Sequence, residues 1–174
     1  MRIAAYLVAF VAMAAAIAWM SSRVEDQRAT ALKGKPRITD GDSVTINSRR
    51  IRLIGIDAPE LDQPCTVKGE KTRCGRLARE HLVGLVAGRT VTCEGEVFDK
   101  YARLLAVCKI GELELNRRMV ADGWAVSYGR YKAEEAAARN RRAGLWDGRF
   151  EPPQAWRAWK RRKPAWWDIF GWFT

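Results

Sequence analysis

A predicted β-hairpin at residues 90–110 limits the fold of this chain most strongly. Two apolar stretches, residues 90–98 and 104–110, flank the short segment DKYAR at residues 99–103. Two β-type stretches separated by a few residues are typical of antiparallel strands joined by a loop. The chain is therefore expected to contain an antiparallel sheet built around this hairpin.

The hairpin is also expected to bring two cysteines together. Directly opposed residues of an antiparallel hairpin have position numbers with a constant sum, and we expect Val97 to lie opposite Leu104. Cys93 then lies opposite Cys108, because that pair has the same sum. Opposed residues have Cβ atoms about 4.5–5.5 Å apart, which is near the separation in a disulfide.

The other two cysteines are expected to pair with each other. The chain has four cysteines, Cys65, Cys74, Cys93 and Cys108, and no CxxC pair. A zinc site is therefore not expected. An even number of cysteines behind an export-like N-terminus favours two disulfides. The second bridge, between Cys65 and Cys74, would close the loop that follows Glu60.

A group of short strands is predicted in residues 36–55. The apolar residues there are spaced mostly by two or flank turns, and Asn47-Ser48 is a turn candidate. We expect three strands of an antiparallel meander, ended by Pro59, which has no N–H to donate to a neighbouring strand. Residues 61–73 are interpreted as a loop.

Helices are predicted at residues 74–88, 113–122 and 131–142, from helical spacing of apolar residues and from the glycines that follow. Five strands, a helix after the third strand and two later helices predict a mainly β member of the α+β class. We expect a five-stranded OB-fold barrel with about three helices, plus an N-terminal apolar helix. This domain would span residues 36–150.

The N-terminal segment is read as an export signal. Residues 3–20 carry no charge and follow Arg2, but a spanning helix needs about 20 apolar residues. Residues 1–20 are either a signal anchor or a cleaved signal peptide, since Ala16-Ile17-Ala18 has small residues at processing spacing. The body would be held at the periplasmic face of a membrane, or be secreted or periplasmic. Residues 21–35 are interpreted as a linker.

The composition shifts again in the tail, residues 151–174. This segment holds Lys160-Arg161-Arg162-Lys163 and five tryptophans. Tryptophan beside basic residues suits a membrane interface or stacking on unpaired bases, and the tail could also be disordered or partly packed on the barrel. The net charge of the chain, +11, indicates polyanionic partners. The single histidine argues against histidine-rich metal chemistry.

Four acids and two arginines form the candidate site. Asp40 and Asp42 flank a glycine, and Asp57 ends a predicted strand. Carboxylates of this kind bind hard cations such as calcium or magnesium, although Asp-Gly also forms ordinary turns. Glu60 follows a turn stiffened by proline and could act as a general base for water.

Arginine is the natural partner of a phosphate, because it stays charged and donates in a planar fork. Arg52 lies within the apolar stretch IRLIGI, where an arginine is unusual unless it reaches a partner. Arg103 lies in the hairpin loop beside Tyr101. The combination of acids and arginines suits phosphodiester cleavage.

In three motifs the chain resembles the staphylococcal nuclease family of OB-fold nucleases. The motifs are DGDS at residues 40–43, RLIGIDAPE at residues 52–60 and DKYAR at residues 99–103. Asn116, GWA at residues 123–125 and GLW at residues 144–146 also match in order, so the similarity covers about residues 36–146.

The resemblance implies a role for each matched residue. Asp42 and Asp57 would bind Ca²⁺ through carboxylates, Ala58 through its carbonyl, and Asp40 through water. Arg52 and Arg103 would hold the scissile phosphate and stabilise its added charge. Glu60 would activate the attacking water, and cleavage would leave a 3′-phosphate and a 5′-hydroxyl. The nucleotide pocket would be lined by Lys100 and Tyr101, with Tyr128 or Tyr131 beside them.

The sequence thus predicts a calcium-dependent endonuclease for DNA or RNA that is exported or tethered to a membrane. The membrane contact would come from residues 3–20 and from the tryptophan-rich tail. The alternative is a catalytically weak OB-fold module that binds nucleic acid or acts at a membrane surface. No sequence feature indicates an oligomeric state.

Overall fold

The computed structural model describes residues 10–16, 19 and 30–162. The chain divides into two compact units, with the boundary after Thr30. In the first unit, residues 10–16 and 19 are helical. No helix in the described part of the chain is long and apolar enough to cross a bilayer. Most of the predicted signal and linker, and residues 163–174 of the tail, lie outside the described residues.

The second unit contains one seven-stranded sheet that curls into a half-barrel. Its strands are β1 (Thr30–Gly34), β2 (Arg37–Ile38), β3 (Ser43–Ile46), β4 (Arg49–Leu53), β8 (Val91–Phe98), β9 (Leu104–Ile110) and β10 (Leu113–Glu114). The order is β1-β8-β9-β4-β3-β2, with β10 on β9. Strands β4 and β9 run parallel, and the other registered neighbours are antiparallel.

The five predicted strands are all present, as β2, β3, β4, β8 and β9. The sheet is larger than predicted because β1 lies in the predicted linker and β10 begins the predicted second helix. Strand β1 was missed because only Leu32 of its side chains packs against the core. One apolar contact leaves little periodicity to read from the sequence.

Two small sheets lie beside the main one. Strand β5 (Ile56–Asp57) pairs with β11 (Val126–Ser127), and β6 (Pro64–Val67) pairs with β7 (Glu70–Arg73) and β12 (Gly148–Phe150). The prediction of a loop at residues 61–73 was therefore wrong. The hairpin forms because Cys65 and Val67 pack with Leu145 and Phe150, which are distant in sequence.

Side-chain alternation in β4 separates the core from the candidate site. Ile51 and Leu53 are fully buried, while the Arg52 side chain between them is 23% exposed. Successive side chains of a strand point to opposite faces. The unusual arginine of IRLIGI therefore turns away from the core without interrupting it.

The hairpin register is as predicted at the cysteines but shifts near the loop. Cys93 lies opposite Cys108, whereas Val97 lies opposite Leu105 because a bulge follows Gly95. The predicted pairing of Val97 with Leu104 was therefore wrong. A Cβ at Gly95 would lie 2.2 Å from the Leu105 carbonyl oxygen, so this close approach of the strands requires glycine.

Both predicted disulfides are present. Cys93 and Cys108 join β8 to β9, and Cys65 and Cys74 join β6 to the first residue of the following helix. No free cysteine remains among the described residues. The first bridge joins the two strands of the hairpin, and the second joins the segment after Glu60 to the following helix.

The three predicted helices are α1 (Cys74–Val86), α2 (Leu115–Ala121) and α3 (Lys132–Asn140). A 3-10 turn follows at Gly144–Asp147, and a fourth helix, α4 (Pro153–Arg162), lies in the predicted tail. Helix α1 buries Ala78, Leu82 and Val86, which recur every four residues and share one face. Helix α4 buries only Pro153, and residues 159–162 are exposed. It therefore has no apolar stripe from which a helix could be predicted.

Candidate active site

Strands β3, β4 and β5 bring the central charges together. Ser43 lies opposite Arg52 in the antiparallel register of β3 and β4. The amide of Leu53 donates to the carbonyl of Asp42 at 2.8 Å, which holds Asp42 beside β4. Asp57 ends β5 and pairs with Val126 of β11. The sheet register therefore sets Asp42, Arg52 and Asp57 side by side.

The Asp42 carboxylate is buried and accepts several hydrogen bonds. The residue is 4% exposed. Its Oδ1 accepts from the Ser43 hydroxyl at 3.0 Å, and its Oδ2 accepts from the Ala58 amide at 3.2 Å. Its own amide donates to Asp40 Oδ1 at 3.0 Å. Asp40 therefore shapes the turn, and Ala58 anchors the carboxylate through its backbone.

Burial raises the pKa of the Asp42 carboxyl to about 7. The neighbouring charges of Asp40 and Asp57 add to this, while Arg52 opposes it. A carboxyl with a raised pKa is one whose charge is not fully compensated by the protein. Burial therefore favours the neutral form of the Asp42 carboxyl.

The Arg52 guanidinium bridges two acids. Its Nη2 lies 3.0 Å from Asp42 Oδ2 and 2.9 Å from Asp57 Oδ1. Burial lowers the pKa of Arg52, but the charges of Asp42 and Asp57 outweigh that effect and the net pKa is raised. Arg52 is therefore fully charged at the floor of the site.

Asp57 is bound by a second arginine from helix α4. Arg157 donates from Nη1 to Oδ1 at 3.1 Å and from Nη2 to Oδ2 at 2.7 Å. The same Nη1 also donates to Glu60 Oε1 at 3.0 Å. The hydrogen bond to Asp57 raises the pKa of Arg157 most strongly, while burial lowers it. The negative charge of Asp57, together with the hydrogen bond and charge of Glu60, raises this pKa further. Arg157 was not predicted as a site residue, because it lies in the tail without any motif around it.

Glu60 is positioned by a buried glutamine that the sequence analysis also missed. Gln63 is fully buried, and its Oε1 accepts from the Glu60 amide at 3.2 Å. Its Nε2 donates to the carbonyl of Glu151, just before α4, at 2.6 Å. A Cβ at Gly75 would lie 2.0 Å from the Glu60 carbonyl oxygen. Glycine therefore lets α1 approach this segment.

The hairpin loop presents Arg103 through Asp99. Asp99 Oδ1 accepts from the amides of Tyr101 and Arg103, and its Oδ2 accepts from the Arg103 guanidinium at 2.8 Å. Arg103 also lies 3.4 Å from the Ser43 hydroxyl and 5.6 Å from the centre of the Tyr101 ring. Ala102 has a φ of 57°, so the loop tolerates a left-handed alanine here. Arg103 nevertheless faces the other site residues.

These side chains share one open cleft of about 700 Å³. The predicted residues that line it are Arg52, Asp57, Glu60, Lys100, Tyr101, Arg103 and Tyr128. The unpredicted ones are Arg50, Gln154, Arg157 and Arg161. Asp42 and Ala58 lie buried beneath the cleft, linked to it through Arg52.

The donor set fits a hard cation with few protein ligands. Asp42 and Asp57 both approach one nitrogen of Arg52, so their oxygens lie within a few ångströms of each other. Carboxylate and carbonyl oxygens are the ligands that calcium prefers, with water completing the shell. No group of three or more His, Cys, Asp or Glu side chains that could hold a metal occurs within the described ranges.

Comparison with known proteins identifies the family. The family model of staphylococcal nuclease homologues matches residues 50–148. The matched segment includes Arg52, Asp57, Glu60 and Arg103, and it ends before α4.

The relatives include named nucleases. The succinoglycan biosynthesis protein ExoI of Rhizobium meliloti (strain 1021) is 31% identical over 141 residues, which cover 76% of this chain and 74% of that protein. An uncharacterized endonuclease of Escherichia coli O157:H7 is 35% identical over 133 residues, 70% of this chain and 81% of that protein. A probable staphylococcal-like nuclease, CAN3, of Oryza sativa subsp. japonica is 33% identical over 125 residues, 67% of this chain and 30% of that protein. The chain belongs to the family of staphylococcal nuclease homologues.

Proposed function

We propose that this chain is a calcium-dependent nuclease that hydrolyses phosphodiester bonds of DNA or RNA. The observation that carries the proposal is that Arg52, Arg103 and Glu60 line one cleft together with Asp57. Phosphodiester hydrolysis needs positive groups that bind the phosphate, a base for the attacking water and a carboxylate that can bind a cation. The two arginines, Glu60 and Asp57 supply these groups. Nuclease-named relatives support the same reaction class.

In this proposal the two arginines hold the scissile phosphate. Arg52 is fixed by Asp42 and Asp57, and Arg103 is fixed by Asp99, so both guanidiniums are positioned before substrate arrives. Fixed donors stabilise the charge that develops on the phosphoryl oxygens without reorganising during the reaction. Each arginine keeps N–H groups for the phosphate because its carboxylate partners do not use all five.

Glu60 acts as the general base. Its side chain is 44% exposed at the cleft, so water can reach it. It takes a proton from the attacking water as the new P–O bond forms. The bond between phosphorus and the 5′ oxygen breaks, and that oxygen takes a proton from solvent water to become the 5′-hydroxyl. Bound calcium, held by Asp42, Asp57 and the Ala58 carbonyl with Asp40 nearby, would supply positive charge beside the phosphate.

Nucleic acid suits the outer part of the cleft. Tyr101 and Tyr128 are 57% and 61% exposed, and exposed aromatic rings bind bases by stacking. Lys100 lies 5.1 Å from the centre of the Tyr101 ring and also faces the cleft. We propose that the curled sheet is the OB-type barrel of the family and that these residues bind nucleotides at its edge.

We also propose that the protein acts outside the cytoplasm. Two disulfides support this, because such bonds persist in oxidising compartments. We further propose that residues 3–20 and the tail hold the protein at a membrane. Fractionation of the full chain tests this location. Recovery of the protein wholly in the cytoplasm would contradict it.

The deciding experiment is cleavage of single-stranded DNA and RNA by the full chain in calcium and in excess chelator. The Glu60→Gln variant, which lacks the proposed general base, is compared under the same conditions. We expect cleavage that needs calcium and is lost in the variant. Persistent cleavage in chelator would remove calcium from the proposal. Binding without cleavage would instead favour the alternative function, a nucleic-acid-binding module.

A further inference from the structure

We infer that Arg157 is a positioning residue that competes with the divalent cation at Asp57 and so sets the cation concentration at which the site fills. This inference rests on the proposed function. Helix α4, which lies beyond the residues matched by the family model, carries this arginine into the centre of the site. Its guanidinium would have to leave Asp57 before a cation could bind there.

The contacts of Arg157 use the same oxygens that a cation would need. Both oxygens of Asp57 accept from this guanidinium, at 3.1 and 2.7 Å, and Glu60 accepts from it at 3.0 Å. Asp57 is only 2% exposed. Its carboxylate is thus shared between two arginines, and both of its oxygens already accept hydrogen bonds from them.

Charge makes the two occupants competitors for Asp57. Asp42, Asp57 and Glu60 present three carboxylates to the guanidiniums of Arg52 and Arg157. A divalent cation at Asp57 would meet the positive charge of Arg157 on the same carboxylate oxygens. Like charges a few ångströms apart repel strongly in a partly buried site, so cation binding favours release of Arg157.

Helix α4 is held in place on both sides of Arg157. At its start Pro153 is buried, and the Glu151 carbonyl accepts from the buried Gln63. Nearer its end Lys160 pairs with Asp62. Gln63 and Asp62 belong to the segment that carries Glu60, so the helix is fastened to the very loop whose acids Arg157 binds. The contact is therefore built into the fold and is not made by a free surface side chain.

The Arg157 side chain is itself 31% exposed at the cleft. It can leave Asp57 by rotating its long side chain into the cleft while the anchors of α4 stay in place. The Arg157 side chain can therefore move from the carboxylates to the open cleft without unfolding of the helix. The cost of exchange is the ion pair with Asp57 and Glu60, and this cost appears as weaker cation binding.

Calorimetric titration of the full chain with calcium, without nucleic acid, tests the inference. The variants are Arg157→Gln, which removes the charge, and Arg157→Lys, which keeps it but cannot donate in a fork. Arg161→Gln is the matched control, because Arg161 lies one turn along α4 in the same cleft and makes no ion pair among the described residues. Thermal melts verify that each variant is folded.

We expect Arg157→Gln to bind calcium on the order of fivefold more tightly than the wild type, the scale of one partly exposed ion pair. Arg157→Lys should lie between the two, and Arg161→Gln should stay within about twofold of the wild type, since exposed charges are screened. Calcium affinity that is unchanged or weaker in Arg157→Gln would overturn the inference. An equal gain in calcium affinity in Arg161→Gln would also overturn the inference, because it would show that removing any positive charge from the cleft has this effect.

The readout separates this inference from the proposed function. If the wild type cleaves nucleic acid with calcium but Arg157→Gln binds calcium no more tightly, the nuclease stands and the competition by Arg157 is refuted. If no calcium binding occurs in either protein, both the inference and the calcium dependence fall. If Arg157→Gln does not fold, the Arg157→Lys titration decides, and an affinity equal to the wild type refutes the inference.

Discussion

The side chain of Gln63 accepts a hydrogen bond from the backbone amide of Glu60 at 3.2 Å while it is itself fully buried. The same side chain donates to the Glu151 carbonyl at 2.6 Å. One amide group thus ties the segment of the proposed general base to the start of helix α4. This linkage has consequences for both stability and turnover.

Replacing Gln63 with leucine should destabilise the protein and slow cleavage. The substitution leaves the Glu60 amide and the Glu151 carbonyl without their side-chain partner. This lowers the free energy of unfolding by about 1–3 kcal/mol for each group that stays buried. Urea denaturation and steady-state kinetics measure the two effects. Gln154→Leu is the stability control, because Gln154 is exposed. Equal unfolding free energies for the two variants would contradict the role of Gln63.

Replacing Arg103 with lysine should lower turnover by roughly 100-fold or more, the usual cost of losing one donor to transition-state charge. Lysine keeps the charge but cannot pair with Asp99 through two nitrogens, as Arg103 does at 2.7 and 2.8 Å. Single-turnover cleavage rates at saturating calcium measure the effect. Lys109→Arg, the reverse exchange at an exposed position of β9, the strand that follows the Arg103 loop, is the control. A near-normal rate in Arg103→Lys would exclude Arg103 from the proposed mechanism.

Replacing Ala102 with glycine should stabilise the protein by about 0.5–1 kcal/mol. Ala102 has a φ of 57°, and the left-handed region costs about 1–2 kcal/mol for a residue with a Cβ. The greater flexibility of glycine in the unfolded chain offsets part of this gain. Ala106→Gly, in a buried position of β9, should instead destabilise. Chemical denaturation compares the two, and a loss of stability in both would contradict the strain at Ala102.

Replacing Asp42 with asparagine should change how stability depends on pH in excess chelator. The pKa of Asp42 is raised from 3.8 to about 7 in the fold, first by burial. Between these values the folded protein holds a proton that the unfolded chain has lost, so this group destabilises the fold progressively as pH rises.

The unfolding free energy of Asp42→Asn relative to the wild type should therefore increase from about pH 4 to about pH 7, because asparagine carries no titrating proton. Denaturation curves of both proteins at several pH values give this difference directly. Added calcium is expected to remove the trend by binding the charged form of Asp42. A difference that is flat across the range would mean that Asp42 titrates normally.

Removing the Cys93–Cys108 disulfide by a double alanine substitution should cost about 3 kcal/mol, as for closure of a loop of about 15 residues. The bridge spans 15 positions and both cysteines are fully buried. The Cys65–Cys74 bridge spans 9 positions, so its removal should cost less. Denaturation midpoints of the two double variants test the order. The intact protein should also gain the mass of four hydrogens on reduction.

Features of the fold that depend on neighbours in the chain were predictable from the order of the amino acids. The alternation of Ile51, Arg52 and Leu53 sets the core face and the site face of β4. The hairpin pattern indicated the pairing of Cys93 with Cys108, although the sum of opposed positions is not constant along the hairpin because of the bulge. The spacing of charged residues in three motifs indicated the cleft and the family.

Contacts between distant segments were not predictable from the sequence and are visible only in the folded domain. Arg157 lies 100 positions from Asp57, and no local periodicity links them. The hairpin at residues 61–73 needs β12, and the bulge after Gly95 needs the close approach of Leu105. Local patterns report which face of an element is apolar. Which charged group a buried carboxylate binds depends instead on the packing of the whole domain.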